Sequence, residues 1–263
     1  MRTKGIGATD IGLRRSNNED SYFADDRLGL YVVCDGMGGH SGGEVASFEA
    51  ARTVAEFFDA KSQLLSEVRR TGDFERLGTL ATEAVKLASN NVWNLAEQRN
   101  LGGMGTTLTM LIVAGGKGVV ASVGDSRAYL MHDRVLAQIT KDHTYAEEMH
   151  DWGLDADQIR NYRHLLTRAV GYEKTVEVDT FLIDLSPHDR VLLCSDGLSN
   201  YFDELKDLNE FVMKEDANAL PHRLVAEANV RGGSDNITAI VVEVIPTPYL
   251  QPHVRDRVHP VHI

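Results

Sequence analysis

Several strand-like runs in this chain begin or end at an acid. VVC runs into Asp35-Gly36, VG into Asp125-Ser126 and LLCS into Asp196-Gly197, while Glu19-Asp20 and Asp235-Asn236 lead into SYFAD and ITAIVVEVI. A carboxylate at a buried strand end is costly unless something positive compensates it. One such acid alone is explained as a turn or helix cap. Recurrence favours a fold whose strand ends meet at one rim, where the acids would repel each other without cations. An oxygen-rich, imidazole-poor set of this kind suits Mg²⁺ or Mn²⁺ better than Zn²⁺.

The other runs fit that constraint. IGAT, SYFAD and LGLYVVC read as strands, followed by helical spacing over 43–59 through Val45, Phe48, Ala51, Ala55 and Phe58. A second helix runs over about 74–97 on Leu77, Leu80, Ala84, Leu87, Val92 and Leu95. TTLTMLIVAG, GVVASVG, SRAYLMH and RVLAQIT return to strand, the last two joined as a hairpin by a turn at His132-Asp133. Residues 143–168 read as helical or irregular. Then come the strands VDTFLIDL and RVLLCS, helices at about 203–214 and 216–230, and the closing strand ITAIVVEVI. Strands in runs and helices in pairs are not the alternation of a doubly wound parallel sheet. The expectation is an α+β fold: a central β-sandwich of two antiparallel sheets with helix pairs outside. Residues 1–245 form one domain, and the proline-rich 246–263 reads as a flexible tail.

Charge narrows the partners. The 27 Lys and Arg against 39 Asp and Glu leave a formal charge of −12, which argues against nucleic acid or an anionic membrane. Cys34 and Cys194 sit in apolar runs and read as buried free thiols. No secretory signal or apolar stretch near 18 residues stands out, so the chain reads as cytoplasmic. No H-E-x-x-H or C-x-x-C occurs to hold zinc. GMGGHSGG (36–43) lacks the Lys-Ser/Thr that closes a P-loop, and its glycines fit a tight strand-to-helix turn better.

TDIGLRRSNNED (9–20), VVCDGMGGHSGGEVAS (32–47), GMGTTL (103–108), VGDSRAY (123–129), LLCSDGL (192–198) and GGSDNIT (232–238) together resemble the motifs of the metal-dependent protein phosphatases, the type 2C or PPM family, in its order and spacing. The resemblance covers about residues 5–245, and the M-G-G-H form is similar to the bacterial branch. It implies an α-β-β-α sandwich and a metal-dependent serine/threonine phosphatase. It further implies that Asp35 bridges two ions, that the Gly36 carbonyl and Glu19 serve one of them, and that Asp196 and Asp235 hold the other. Asp20 would support the site from beside it. Asp125, with Asp196, would hold a weaker third Mn²⁺ or Mg²⁺, and Arg15 would clamp the substrate phosphate.

The mechanism implied is attack by a metal-activated water, without a phosphoenzyme. His40 is the nearest candidate by sequence to protonate the leaving oxygen, because Met37 occupies the position that is histidine in animal relatives. It could equally hold the glycine-rich turn or a water. The flap expected at 144–165 is about two residues shorter than is usual in bacterial members and lacks their proline, which leaves its conformation open. The resemblance implies a monomer acting on phosphoprotein substrates opposite a cognate Ser/Thr kinase. The alternatives are a non-catalytic binding module, from which some metal acids would be missing, a phosphatase for small phosphoesters, and one dedicated to a single regulatory protein.

Overall fold

The computed structural model of the chain describes residues 1–38, 42–202 and 204–246. The first half contains β1 (Arg2–Asp10), β2 (Asp20–Asp25), β3 (Leu30–Met37), α1 (Gly42–Ala60), α2 (Ser62–Thr71) and α3 (Phe74–Arg99). Then follow β4 (Gly105–Thr106), β5 (Leu108–Ala114), β6 (Lys117–Val123), β7 (Arg127–His132) and β8 (Val135–Gln138). The second half has α4 (Tyr145–Asp151), α5 (Ala156–Ile159), β9 (Asp179–Asp184), β10 (Arg190–Cys194), α6 (Asp196–Ser199), α7 (Leu205–Lys214), α8 (Leu220–Val230) and β11 (Ile237–Ile245).

The strands form two antiparallel sheets. One runs β1-β11-β10-β7-β8, the other β2-β3-β5-β6-β9, with β4 on β3. Between them lies a layer of Tyr31, Val33, Leu111, Val120, Val191, Leu193, Ile240 and Val242. The outer face of the second sheet packs on α1, α2 and α3 through Leu30, Val32, Val54, Phe58, Leu77 and Met110. The outer face of the first packs on α6, α7 and α8 through Leu192, Leu198, Leu208, Leu224 and Val241. Successive residues of β3 therefore enter different cores: Tyr31 and Val33 face the other sheet, while Leu30, Val32 and Cys34 face the helices. A strand buried on both faces must read as a continuous apolar run. This is the expected α+β sandwich with helices outside.

Antiparallel pairing explains the common rim. The start of β2 lies beside the end of β3, with Asp20 opposite Asp35. The start of β5 lies beside the end of β6, with Leu108 opposite Val123. The end of β10 lies beside the start of β11, with Cys194 opposite Ala239. Acids at alternating starts and ends are thereby delivered to one end of the sandwich.

Several local expectations shift. In α1 the buried face is Ala46, Ser47, Ala50, Ala51, Val54 and Phe58, while Phe48 is 62% exposed. Small residues face inward because α1 packs against both β3 and α3, and a stripe traced through large residues misses them. In α3 the expected Leu77, Leu80, Ala84 and Val92 are buried, but so are Ala81, Val85 and Ala88, while Leu87 is exposed. The β7–β8 turn is Asp133-Arg134 instead of His132-Asp133: His132 pairs with Val135, and the two turn residues have φ of 48° and 69°. Positive φ at both centres is the twist-compatible hairpin geometry. The last helix begins at Leu220, not 216, with Pro221 in its first turn, where a missing N–H costs no helical bond. Helices α2 and α6 were not anticipated. Pro246 closes the described residues, and the rest of the expected tail lies outside them.

Candidate metal centre

Asp35 is held by its backbone. Its N–H donates to Thr107 Oγ1 at 2.9 Å, and its carbonyl accepts from Thr107 N and Thr106 Oγ1, both at 2.8 Å. The next residue, Gly36, donates its N–H to the Glu19 carbonyl at 3.1 Å. Asn17 Nδ2 reaches Glu19 Oε1 at 3.1 Å. The first turn of α1 comes so close that a Cβ on Gly43 would stand 2.6 Å from Glu19 Oε2. The glycines at 42–43 thus serve a close strand-to-helix approach.

Asp196 opens α6 directly after β10. Its Oδ2 accepts from Asn200 Nδ2 at 3.1 Å. Asp235 precedes β11, with its Oδ1 taking Asn236 N at 2.8 Å and its Oδ2 taking Arg15 Nη2 at 2.6 Å. Asp125 occupies the turn between β6 and β7. Together Arg15, Glu19, Asp35, Gly36, Asp125, Asp196 and Asp235 line one groove of about 1330 Å³.

Asp20 stands behind this rim. It is buried, its Oδ2 accepts from Ser195 Oγ at 2.7 Å, and its Oδ1 has no partner among the described residues. Ser195 Oγ in turn accepts from Thr238 N at 3.0 Å, so the Asp20 carboxyl ties β2 to the junction of β10 and β11. His40 lies outside the described residues.

The electrostatics are those of a site short of positive charge. Burial, then the charge of Asp20 and of Asp196, holds Asp35 well above the ordinary carboxylate range. Burial, then Asp196 and Asp142, pushes Asp125 up to about 8. Burial pushes Asp20 up to about 7 against the opposing pull of the nearby Thr238 and Ser195 hydroxyls. Asp196 is raised by burial and then by Asp235. Arg15 is raised chiefly by its hydrogen bond to Asp235. Crowded, buried oxygen donors whose charges raise one another's pKa, with a carboxylate oxygen behind them that has no partner among the described residues, fit hard divalent ions. Both thiols are unsuited to metal or nucleophilic roles: Cys34 and Cys194 are fully buried, and burial pushes both pKa values up.

Other groups at the site gave no sequence signal. Asn236 is buried and clasps the loop that carries Arg15 and Glu19. Its Nδ2 donates to Ile11 O and Asn17 O, both at 2.9 Å, and its Oδ1 accepts from Glu19 N at 2.8 Å. It sits within GGSDNIT, where an amide next to a candidate acid was the available hint. His164 Nδ1 lies 3.9 Å from Asp196 Oδ2 on the groove wall, with a side chain 71% exposed. Thr107 and Ser195 act only through strand ends that pair far apart in sequence. The flap's ends meet where Thr144 bridges Leu166, and between them lie α4 and α5.

Comparison with known proteins places the chain in a family. The family model described as Protein phosphatase 2C matches residues 13–226. The serine/threonine phosphatase stp of Listeria monocytogenes is 36% identical over 242 residues, which is 89% of this chain and 93% of that protein. The serine/threonine protein phosphatase PstP of Mycobacterium tuberculosis is 36% identical over 249 residues, 92% of this chain and 45% of that protein. The crystal structure of M. tuberculosis PstP/Ppp superposes with a TM-score of 0.82 at 34% identity, covering 94% of this chain and 100% of that one. A structure of the PstP catalytic domain in complex with two manganese ions gives a TM-score of 0.81 at 34% identity, covering 93% and 99%.

Proposed function

The chain belongs to the protein phosphatase 2C family, and from that membership we propose how its own residues divide the work. It is a metal-dependent serine/threonine protein phosphatase. Bound divalent ions supply an attacking water of lowered pKa and offset charge on the transferring phosphoryl group. The residues that would hold two ions are Asp35, Glu19, the Gly36 carbonyl, Asp196 and Asp235, and Asp125 with Asp196 would hold a weaker third. Mn²⁺ and Mg²⁺ both suit this oxygen set.

Arg15 binds the substrate phosphate. Its guanidinium now leans on Asp235, half exposed at the groove mouth. Its planar fork has the geometry to take two phosphate oxygens there. Asp20 keeps the strand ends in register from behind. No phosphoenzyme is formed, and the buried thiols could not supply one. The leaving serine or threonine oxygen takes its proton from a group at the groove, with His40 the candidate acid. The protein works as a monomer in the cytoplasm against a Ser/Thr kinase. Among the described residues no helix is long and apolar enough to cross a membrane.

The observation that carries this reading is the meeting of Asp35, Asp125, Asp196 and Asp235, with Arg15, on one groove. Turnover of a phosphothreonine peptide by chelator-stripped protein, with and without millimolar Mn²⁺, tests it. Full activity without metal would end the metal mechanism. Faster turnover of sugar phosphates than of the peptide would favour small phosphoesters as substrates.

A further inference from the structure

One buried histidine fastens the Asp125 turn, and the reaction as described leaves it unused. His143 is 6% exposed and stands just before the flap. Its Nδ1 accepts from Gly124 N at 3.0 Å, and its own N–H donates to Gly124 O at 3.0 Å. An accepting Nδ1 puts the ring proton on Nε2, which faces Asp179 Oδ2 at 3.2 Å. Burial holds the imidazole pKa down, which favours this neutral form. Asp179 also takes Arg168 Nη1 at 2.8 Å, and that guanidinium meets Glu177 through Nη2 at 3.2 Å.

The far end of the flap returns to the same residue. Thr167 N donates to His143 O at 2.9 Å, and the neighbouring Thr144 bridges Leu166. The end of β6, the start of β9 and both ends of the flap therefore converge on one imidazole and its peptide unit. Gly124 has little freedom of its own. Its φ is +100°, and a Cβ there would stand 2.7 Å from Thr107 Cβ. Thr107 is the residue that accepts from Asp35 N. The direction of the next side chain, Asp125, is thus set between Thr107 on one side and His143 on the other.

We propose that His143 is a positioning residue that places the Asp125 carboxyl and the flap together, through its Nδ1 on the Gly124 amide. The proposal rests on the assignment of Asp125 to a weaker, third ion. Without an acceptor at Nδ1, the buried Gly124 N–H loses its partner and the turn is free to rotate. The His143 carbonyl that takes Thr167 N shifts with that turn, and the end of the flap shifts with it. A residue with a merely structural role would lower the melting temperature and leave ion affinity and KM alone.

The test compares His143→Phe, which fills the space without an acceptor, with His143→Gln, which restores one, and with Asp125→Ala. Calorimetry with Mn²⁺ reads the tight and weak sites without substrate, and kinetics read a phosphothreonine peptide beside para-nitrophenyl phosphate. The Phe variant should keep the tight sites, weaken the weak Mn²⁺ site about tenfold or more, and raise KM about tenfold for the peptide but not the aryl ester. The Gln variant should recover most of both. Unchanged weak-site affinity in the Phe variant, or equal losses in Phe and Gln, would overturn the proposal. If the Phe variant does not fold, His143→Leu, which is smaller and equally without an acceptor, must produce the same pair of changes. A weak site that persists in Asp125→Ala would instead overturn the assignment of Asp125, and this inference with it. Loss of all peptide turnover in wild type with Mn²⁺ would separately overturn the phosphatase reading.

Discussion

Stripping the metal should make this protein less stable as pH rises across neutrality. Asp20 at about 7 and Asp125 at about 8 stand far above their ordinary 3.8, and Asp35 and Asp196 are raised as well. Between about pH 4 and pH 8 the folded chain therefore holds protons that the unfolded chain has already lost. The stabilisation is fully present below about 4 and disappears as pH rises through the folded values. Each net proton so held changes stability by about 1.4 kcal/mol per pH unit. One proton for the whole cluster between pH 5 and 7 gives about 3 kcal/mol. In a chain of this size that is a fall of about 6–12 °C in melting temperature.

Mn²⁺ takes the place of those protons, so it should flatten the curve and release at least one proton on binding at pH 7. His132, raised by its hydrogen bond to Asp189, adds slope of the same sign near neutrality. Metal does not touch His132, so the difference between the two curves isolates the carboxyl cluster. The assay is thermal melting at pH 5, 6, 7 and 8 in chelator and in millimolar Mn²⁺, with calorimetry in two buffers to count protons. A metal-free midpoint that is flat or rises from pH 5 to 7, or an equal slope with Mn²⁺, would refute the reasoning.

Other substitutions probe single roles. Arg15→Lys keeps the charge but loses the fork, so KM for a phosphopeptide should rise roughly tenfold with a smaller change in kcat; the opposite split would make Arg15 a transition-state group. Gly197→Ala drives a Cβ into the carbonyl of Asn236, beside Asp235, so the variant should lose both activity and the Mn²⁺-dependent rise in melting temperature, whereas a normal Mn²⁺ shift would show that the rim absorbs the methyl. His40→Ala should cost kcat on a phosphothreonine peptide at least about tenfold more than on para-nitrophenyl phosphate, whose phenolate leaves without a proton. Equal losses on both would move the acid elsewhere, with His164 the next variant to make.

What the sequence revealed and what it hid follow from range of interaction. β3, β5, β10 and β11 were legible because burial on both faces demands unbroken apolar runs. The rim acids were legible because the chemistry needs a carboxylate itself, and antiparallel neighbours must bring starts and ends together. The inward faces of α1 and α3 were only partly legible: Ala51, Phe58, Leu77, Leu80, Ala84 and Val92 are buried as expected, but close packing also selects alanine and serine there, and small residues leave little periodic contrast. The holders of the site were invisible for a different reason. Thr107 meets Asp35 72 residues away, Ser195 meets Asp20 175 away, and Asn236 meets Glu19 217 away. A hydroxyl or amide in a strand looks like any other until the register gives it a partner. These contacts share one direction, from β-strand ends and their flanking residues toward the backbone or carboxyl of a rim acid. On the proposed division of roles the acids carry the chemistry, while pairing over long range sets their positions, and a change at Thr107, Ser195 or Asn236 should be felt at the ions before it is felt in the cores.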